Sequence, residues 1–117
     1  MKMVKFTLMI ILAGLFAVTL NSCKKSVSQD PRARIINNGT QKASVQIKTS
    51  NGNTVNINNV DPGTASPYSS YAAGLVTFTI TVNSNNYVKI IDIGNGYDYD
   101  IAIDANNVIT SVSIRRN

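Results

Sequence analysis

The sequence predicts an all-β domain of about seven short antiparallel strands, arranged as an immunoglobulin-like or transthyretin-like sandwich, with a small β-barrel as the alternative. Three observations carry this prediction. From Ala33 onward apolar and polar residues alternate with a period of two, as in half-buried strands. Clusters of Asn, Gly, Asp and Pro interrupt the alternation at roughly ten-residue intervals. No segment after Ala33 carries the 3.6-residue apolar stripe of an amphipathic helix, and no internal repeat suggests a solenoid or propeller.

Taken in order, Arg34-Ile35-Ile36-Asn37 reads as a first strand, closed by Asn38-Gly39. Ala43, Val45 and Ile47 alternate with Ser44, Gln46 and Lys48 in a second. Asn51-Gly52 then predicts a type I′ hairpin, because both residues tolerate the positive φ it requires, and Val55 and Ile57 return antiparallel. Asp61-Pro62-Gly63 is a turn, and Thr64 to Tyr71 reads as the longest irregular stretch, a loop whose bulky members are Pro67, Tyr68 and Tyr71.

Leu75 to Val82 is the clearest strand, with Val76, Phe78, Ile80 and Val82 inward and Thr77, Thr79 and Thr81 outward. Asn83 to Asn86 turns the chain into Tyr87 to Ile93, where Ile90-Ile91 places an apolar residue on each face and suggests a central strand. In the next strand Tyr97, Tyr99, Ile101 and Ile103 oppose Asp98, Asp100 and Asp104. Val108, Thr110, Val112 and Ile114 form the last.

The amino-terminal end has a different character. Lys2 and Lys5 precede an apolar run from Phe6 to Leu20, which is too short for an ordinary span of about 20 residues. Leu20-Asn21-Ser22-Cys23 follows and resembles the bacterial lipobox. Residues 1–22 are therefore expected to be a cleaved signal, Cys23 the lipid-bearing first residue, 23–32 a tether, and 33–117 the folded domain. The lipobox resemblance implies a diacylglycerol thioether on Cys23, usually with a further acyl chain, and two or more chains anchor a protein stably. In similar lipoproteins an Asp after the cysteine favours retention in the inner membrane. Lys24 stands there, so outer-membrane sorting is expected, with the periplasmic face favoured because no acidic residues follow Cys23 directly.

Composition excludes most catalytic classes. The chain has no His, Trp or Glu, and its one Cys is the expected lipid site. Ser-His and Cys-His dyads, the usual zinc nitrogen ligand and an internal disulfide are all absent. Removing 22 residues from 117 leaves 95, and loss of Lys2 and Lys5 lowers the formal charge from +5 to +3. The remaining cations form no basic face with interleaved aromatics, which argues against nucleic acid.

Three candidate sites remain. Asp98, Asp100 and Asp104, with Asp92, offer hard oxygen ligands for Ca²⁺, although no loop of dedicated spacing completes them. Asp98 and Asp100, about 7 Å apart on one strand face, also fall within the separation of glycosidase carboxylates, without a neighbour that would raise one pKa. The plainer reading makes them solvated carboxylates that keep an edge strand from pairing. Tyr68 and Tyr71 can stack on a sugar, anchor a protein partner, or simply pack over the sandwich end. The threonine row matches an ordinary outward strand face.

Three pieces of the chain, Arg34-Ile35-Ile36-Asn37-Asn38, Ala43-Ser44-Val45-Gln46-Ile47 and Tyr71-Ala72-Ala73-Gly74 before a long strand, resemble a family of immunoglobulin-like lipoprotein domains common in Bacteroidota. The resemblance runs from Arg34 to about Val82. It implies fold and location, since that family has no established activity. The functional expectation is a non-catalytic binding or structural module without a cofactor, presenting loops to a protein or glycan. The alternatives are a calcium-dependent glycan-binding or accessory hydrolytic protein using Asp98 and Asp100, or a subunit of a cell-envelope assembly in which an edge strand pairs with another protomer.

Overall fold

A computed structural model describes residues 29–117. The expected signal, the lipobox Leu20-Asn21-Ser22-Cys23 and most of the tether lie outside the described residues. The described chain is all strand and turn: β1 Arg32–Asn38, β2 Ala43–Lys48, β3 Thr54–Val60, β4 Thr64–Ala65, β5 Ser69–Ser70, β6 Gly74–Val82, β7 Asn85–Ile93, β8 Tyr97–Asp104 and β9 Ile109–Arg115.

Two open sheets face each other. The first has the order β4-β1-β8-β9, with β5 continuing β4 along the same side of β1, and the second has the order β3-β2-β6-β7. The architecture is thus a β-sandwich and not the closed barrel kept as the alternative. All pairings are antiparallel except β1 with β8, which run parallel.

The period of two fills the space between the sheets. Ala33 and Ile35 of β1 and Tyr99, Ile101 and Ile103 of β8 meet Val45 and Ile47 of β2 and Val76, Phe78 and Ile80 of β6. Phe78 is fully buried at the middle of the longest strand pair. Burying such a side chain contributes about 1.5–3 kcal/mol, and opposing branched and aromatic residues close the gap of about 10 Å between sheets. One polar side chain sits among them. Asn37 of β1 donates to the carbonyls of Gln41 (2.7 Å) and Val60 (2.9 Å) and accepts from the Gly39 amide (2.9 Å), tying the first sheet to the end of β3 in the second.

Several expectations need correction. The stretch from Thr64 to Tyr71 is not a free loop but a broken edge strand. The amides of Gly63, Ser66 and Tyr71 donate to the carbonyls of Asn37, Ile35 and Pro31, so β4 and β5 both pair with β1, and Pro67, which has no amide hydrogen, falls in the gap between them. These two short pieces raise the expected seven strands to nine. Folded structure also begins earlier than Ala33. Arg32 opens β1, Pro31 is fully buried, and the carbonyls of Gln29 and Asp30 accept bonds from the Gly96 amide and the Arg116 side chain.

The turns exchange roles. Asn51-Gly52 closes the β2-β3 hairpin as expected, but through the five residues Thr49–Asn53, with positive φ only at Gly52 (91°). The type I′ geometry appears instead between β6 and β7, where Asn83 and Ser84 have φ of 52° and 67°.

Two strands are placed differently. β7 lies at an edge and not in the middle of its sheet. Its Ile91 and Ile93 face inward, while Val88 and Ile90 are left exposed on the outer face, opposite Thr79 and Thr77 of β6. In β9 the pairing of Ile103 with Ile109 turns Ile109, Ser111 and Ser113 to the core side. Val112 and Ile114 then point outward, and Val108 is also exposed.

Candidate functional site

The strongest cluster of charged side chains lies on the outer face of the first sheet. Parallel pairing of β1 with β8 sets Arg32 beside Asp98 and Arg34 beside Asp100, because Arg-x-Arg and Asp-x-Asp share the two-residue spacing of a strand face. Each pair is bidentate. Arg32 Nε and Nη2 donate to Asp98 at 2.7 and 2.6 Å, and Arg34 Nε and Nη2 donate to Asp100 at 2.9 and 3.2 Å.

Two further groups close the cluster. Arg116 reaches Asp98 at 3.3 Å and holds the Asp30 carbonyl at 2.7 Å, which ties the end of the chain to its entry into the domain. The Tyr68 hydroxyl donates to Asp100 Oδ1 at 2.6 Å. The Tyr68 ring lies under both remaining cations, with its centroid 4.7 Å from the Arg34 guanidinium carbon and 5.3 Å from that of Arg32.

This arrangement sets the carboxylate chemistry. The fork from Arg32 lowers the Asp98 pKa below its ordinary value, with burial opposing the shift and the charges of Arg32 and Arg116 adding to it. The fork from Arg34 does the same for Asp100, opposed by burial and helped by the Tyr68 hydroxyl. The Tyr68 pKa is in turn raised, because ionising it would forfeit the hydrogen bond it donates to Asp100, with burial and the Asp100 charge adding to the rise. Both carboxyls are therefore ionised at neutral pH and poorly suited to general-acid work, which needs a carboxyl tuned upward.

The expected acidic set is divided. Asp98 and Asp100 are neighbours on β8, but β8 is an interior strand, so they do not guard an edge, and Asp98 is only 8 % exposed. Asp104 sits at the other end of β8, where its Oδ1 accepts the amides of Asn106 (2.8 Å) and Val108 (3.0 Å) and shapes the turn into β9. Asp92 belongs to β7 of the other sheet. No group of three or more acidic or thiol side chains able to hold a metal forms among the described residues. A cation at Asp98 or Asp100 would compete with guanidinium for the same oxygens.

Tyr68 and Tyr71 part company despite their proximity in sequence. Tyr71 is 7 % exposed and belongs to the core, its amide donating to the Pro31 carbonyl. Its hydroxyl is buried and has no hydrogen-bond partner among the described residues, and burial raises its pKa. The Ser69 hydroxyl opposes part of that rise without reaching hydrogen-bond geometry. Tyr71 borders a shallow cleft of about 380 Å³ lined also by Asn51, Asn53, Val55, Ser69 and Ser70. A smaller cavity of about 110 Å³ lies among Asn37, Asn83, Asn107 and Asp104. The threonine row faces out from β6, with Thr81 bonded to Asn86 at 2.7 Å.

Reading the sequence found the acidic half of the cluster and missed its basic half. Arg32 falls within the expected tether and Arg34 within the expected first strand, and neither position by itself marks a partner for the acidic pair. The available signal was the matched spacing of the two charged pairs, which becomes useful only once β1 and β8 are known to be neighbours.

No family model matches the chain, and no curated protein sequence matches it. Among solved structures the chain is similar to the C-terminal domain of AlgF from P. aeruginosa, with 18 % identity over 75 % of this chain and 99 % of that one and a TM-score of 0.50. At that identity the likeness is one of fold, and the chain shares with that domain a β-sandwich architecture.

Proposed function

We propose that the protein is a lipid-anchored, non-catalytic module of the bacterial outer membrane, attached through Cys23 and facing the periplasm, with binding or structural work done by the sandwich. The observation that carries the non-catalytic reading is the state of Asp98 and Asp100. Their oxygens are taken by Arg32, Arg34, Arg116 and Tyr68, and their pKa values lie below the ordinary range. The sequence adds no His, no Glu and no second Cys to replace them. The anchor rests on the signal-like segment and the lipobox ending at Cys23, and the resemblance to Bacteroidota lipoprotein domains agrees with it.

Metabolic labelling with a fatty acid tests the anchor. Label is expected on the wild-type chain in the membrane fraction and on none of the Cys23→Ala protein. A labelled Cys23→Ala protein, or an unlabelled wild type, overturns the anchor. Substrate turnover by the purified protein that Asp98→Asn abolishes overturns the non-catalytic reading.

A further inference from the structure

The two sheets leave four edges, and three of them carry devices that prevent another strand from adding. β3 contains a bulge opposite Ala43 to Val45, with Asn59 in the left-handed region at φ 60°. The β4-β5 edge is split into two-residue pieces around Ser66-Pro67. β7 carries Lys89 on its core-facing side, opposite Phe78, where an inward charge resists coverage. β9 has none of these. It pairs with β8 in unbroken register from Ile109 to Arg115, contains no Pro, Gly or positive φ, and bears no charge before Arg115. Val112 (58 % exposed) and Ile114 (44 %) project from its outer face.

We propose that β9 is an association edge and that its occupant is β9 of a second copy, paired antiparallel about a two-fold axis through Val112, so that the two first sheets become one continuous sheet. Val112 is the midpoint of the seven-residue strand, and pairing about it uses every residue. Val112 then meets Val112 of the other copy, and Thr110 meets Ile114 on the same face. On the opposite face Ser111 meets Ser113 and Ile109 meets Arg115. Each strand thus finds an apolar or hydroxyl partner at every outward position, as an isologous contact requires. The charge pattern selects this orientation. Six residues separate the two Arg115 positions along the ladder, about 20 Å, which is more than twice the screening length of about 8 Å at physiological salt. The pairing is a property of the domain and does not depend on lipid at Cys23.

Cysteine bridging tests the register. In the full-length chain carrying Cys23→Ala, so that failure of the anchor reading cannot affect the result, Val112→Cys places two thiols directly opposite one another. Cα atoms across such a pair lie about 4.5–5.5 Å apart, within disulfide range. Mild oxidation at high protein concentration is expected to convert most of the Val112→Cys chain to a covalent dimer. Ser113→Cys, displaced along the ladder by two residues, and Val88→Cys, equally exposed on the β7 edge, are expected to remain monomeric. Light scattering should give a dimer mass for the unsubstituted strand and a monomer mass for Val112→Lys with an unchanged circular dichroism spectrum. A monomer at all concentrations, equal bridging at all three positions, or preferential bridging at Ser113→Cys or Val88→Cys overturns the proposal.

Discussion

At the residue scale, polar side chains in this domain are informative through their partners. Asn37 ends the strand the sequence predicts, yet inside the sandwich it satisfies two carbonyls and one amide from two segments, the β1-β2 connection and the end of β3. Leaving such buried groups unpaired costs about 1–3 kcal/mol each, which explains how a polar residue holds a core position. Tyr71 is the opposite case, a buried hydroxyl without a partner among the described residues. Tyr71→Phe keeps the ring in the core and removes the orphan, so stability is expected to rise by about 1 kcal/mol, a shift of about 4 °C in melting temperature. Thermal unfolding checks this, and a clear fall in melting temperature would mean that the hydroxyl does have a partner. Tyr68, three residues earlier, is satisfied by Asp100 and lies against the guanidinium groups of Arg32 and Arg34. Sequence proximity said nothing of that difference, because it depends on which side of β5 each residue leaves.

At the element scale, the alternation of residues located the strands well, and turn chemistry located their ends less well. Asn-Gly is the common type I′ pair, yet the β2-β3 connection relaxes into a five-residue loop in which the Gly52 amide donates to the Thr49 carbonyl (3.1 Å) and the Thr49 hydroxyl bonds the Asn53 carbonyl (3.2 Å). The tighter β6-β7 connection forces both Asn83 and Ser84 to positive φ. Asn tolerates that conformation, while a serine there pays about 1 kcal/mol or more. Ser84→Gly is therefore expected to raise the urea midpoint by the equivalent of about 1 kcal/mol without changing the slope of the transition. An unchanged or lower midpoint would contradict the strained turn. Edge and centre were the harder property to read. Ile90-Ile91 suggested a central β7, and Asp98 and Asp100 suggested an edge β8, and both positions are reversed. An apolar residue on both faces implies cover on both faces only if the protein provides it, and here Val88 and Ile90 are left uncovered.

At the scale of the whole molecule, the Arg-Asp cluster connects the first strand, the eighth, the broken edge strand and the chain terminus, and this gives the fold a predictable response to acid. Asp98 and Asp100 have folded pKa values below the reference of 3.8, so their contribution to stability is complete above that value and is lost as pH falls below it. Urea midpoints are expected to stay level from about pH 7 to about pH 5 and to fall steeply below about pH 4. The Asp98→Asn, Asp100→Asn double variant should be less stable at neutral pH and flatter in acid, and parallel curves for the two proteins would refute the linkage. The sequence alone determined that the domain is all-β, which residues of β2, β6 and β8 face inward, and which catalytic groups are missing, because side-chain alternation and composition are local properties of the chain. Only the tertiary structure decided that Arg32 and Arg34 neutralise Asp98 and Asp100, that Tyr71 is buried and Tyr68 is not, and that β9 is the unguarded edge. Each of these depends on which strands lie side by side, and the parallel pairing of β1 with β8 joins positions 66 residues apart that no local pattern connects.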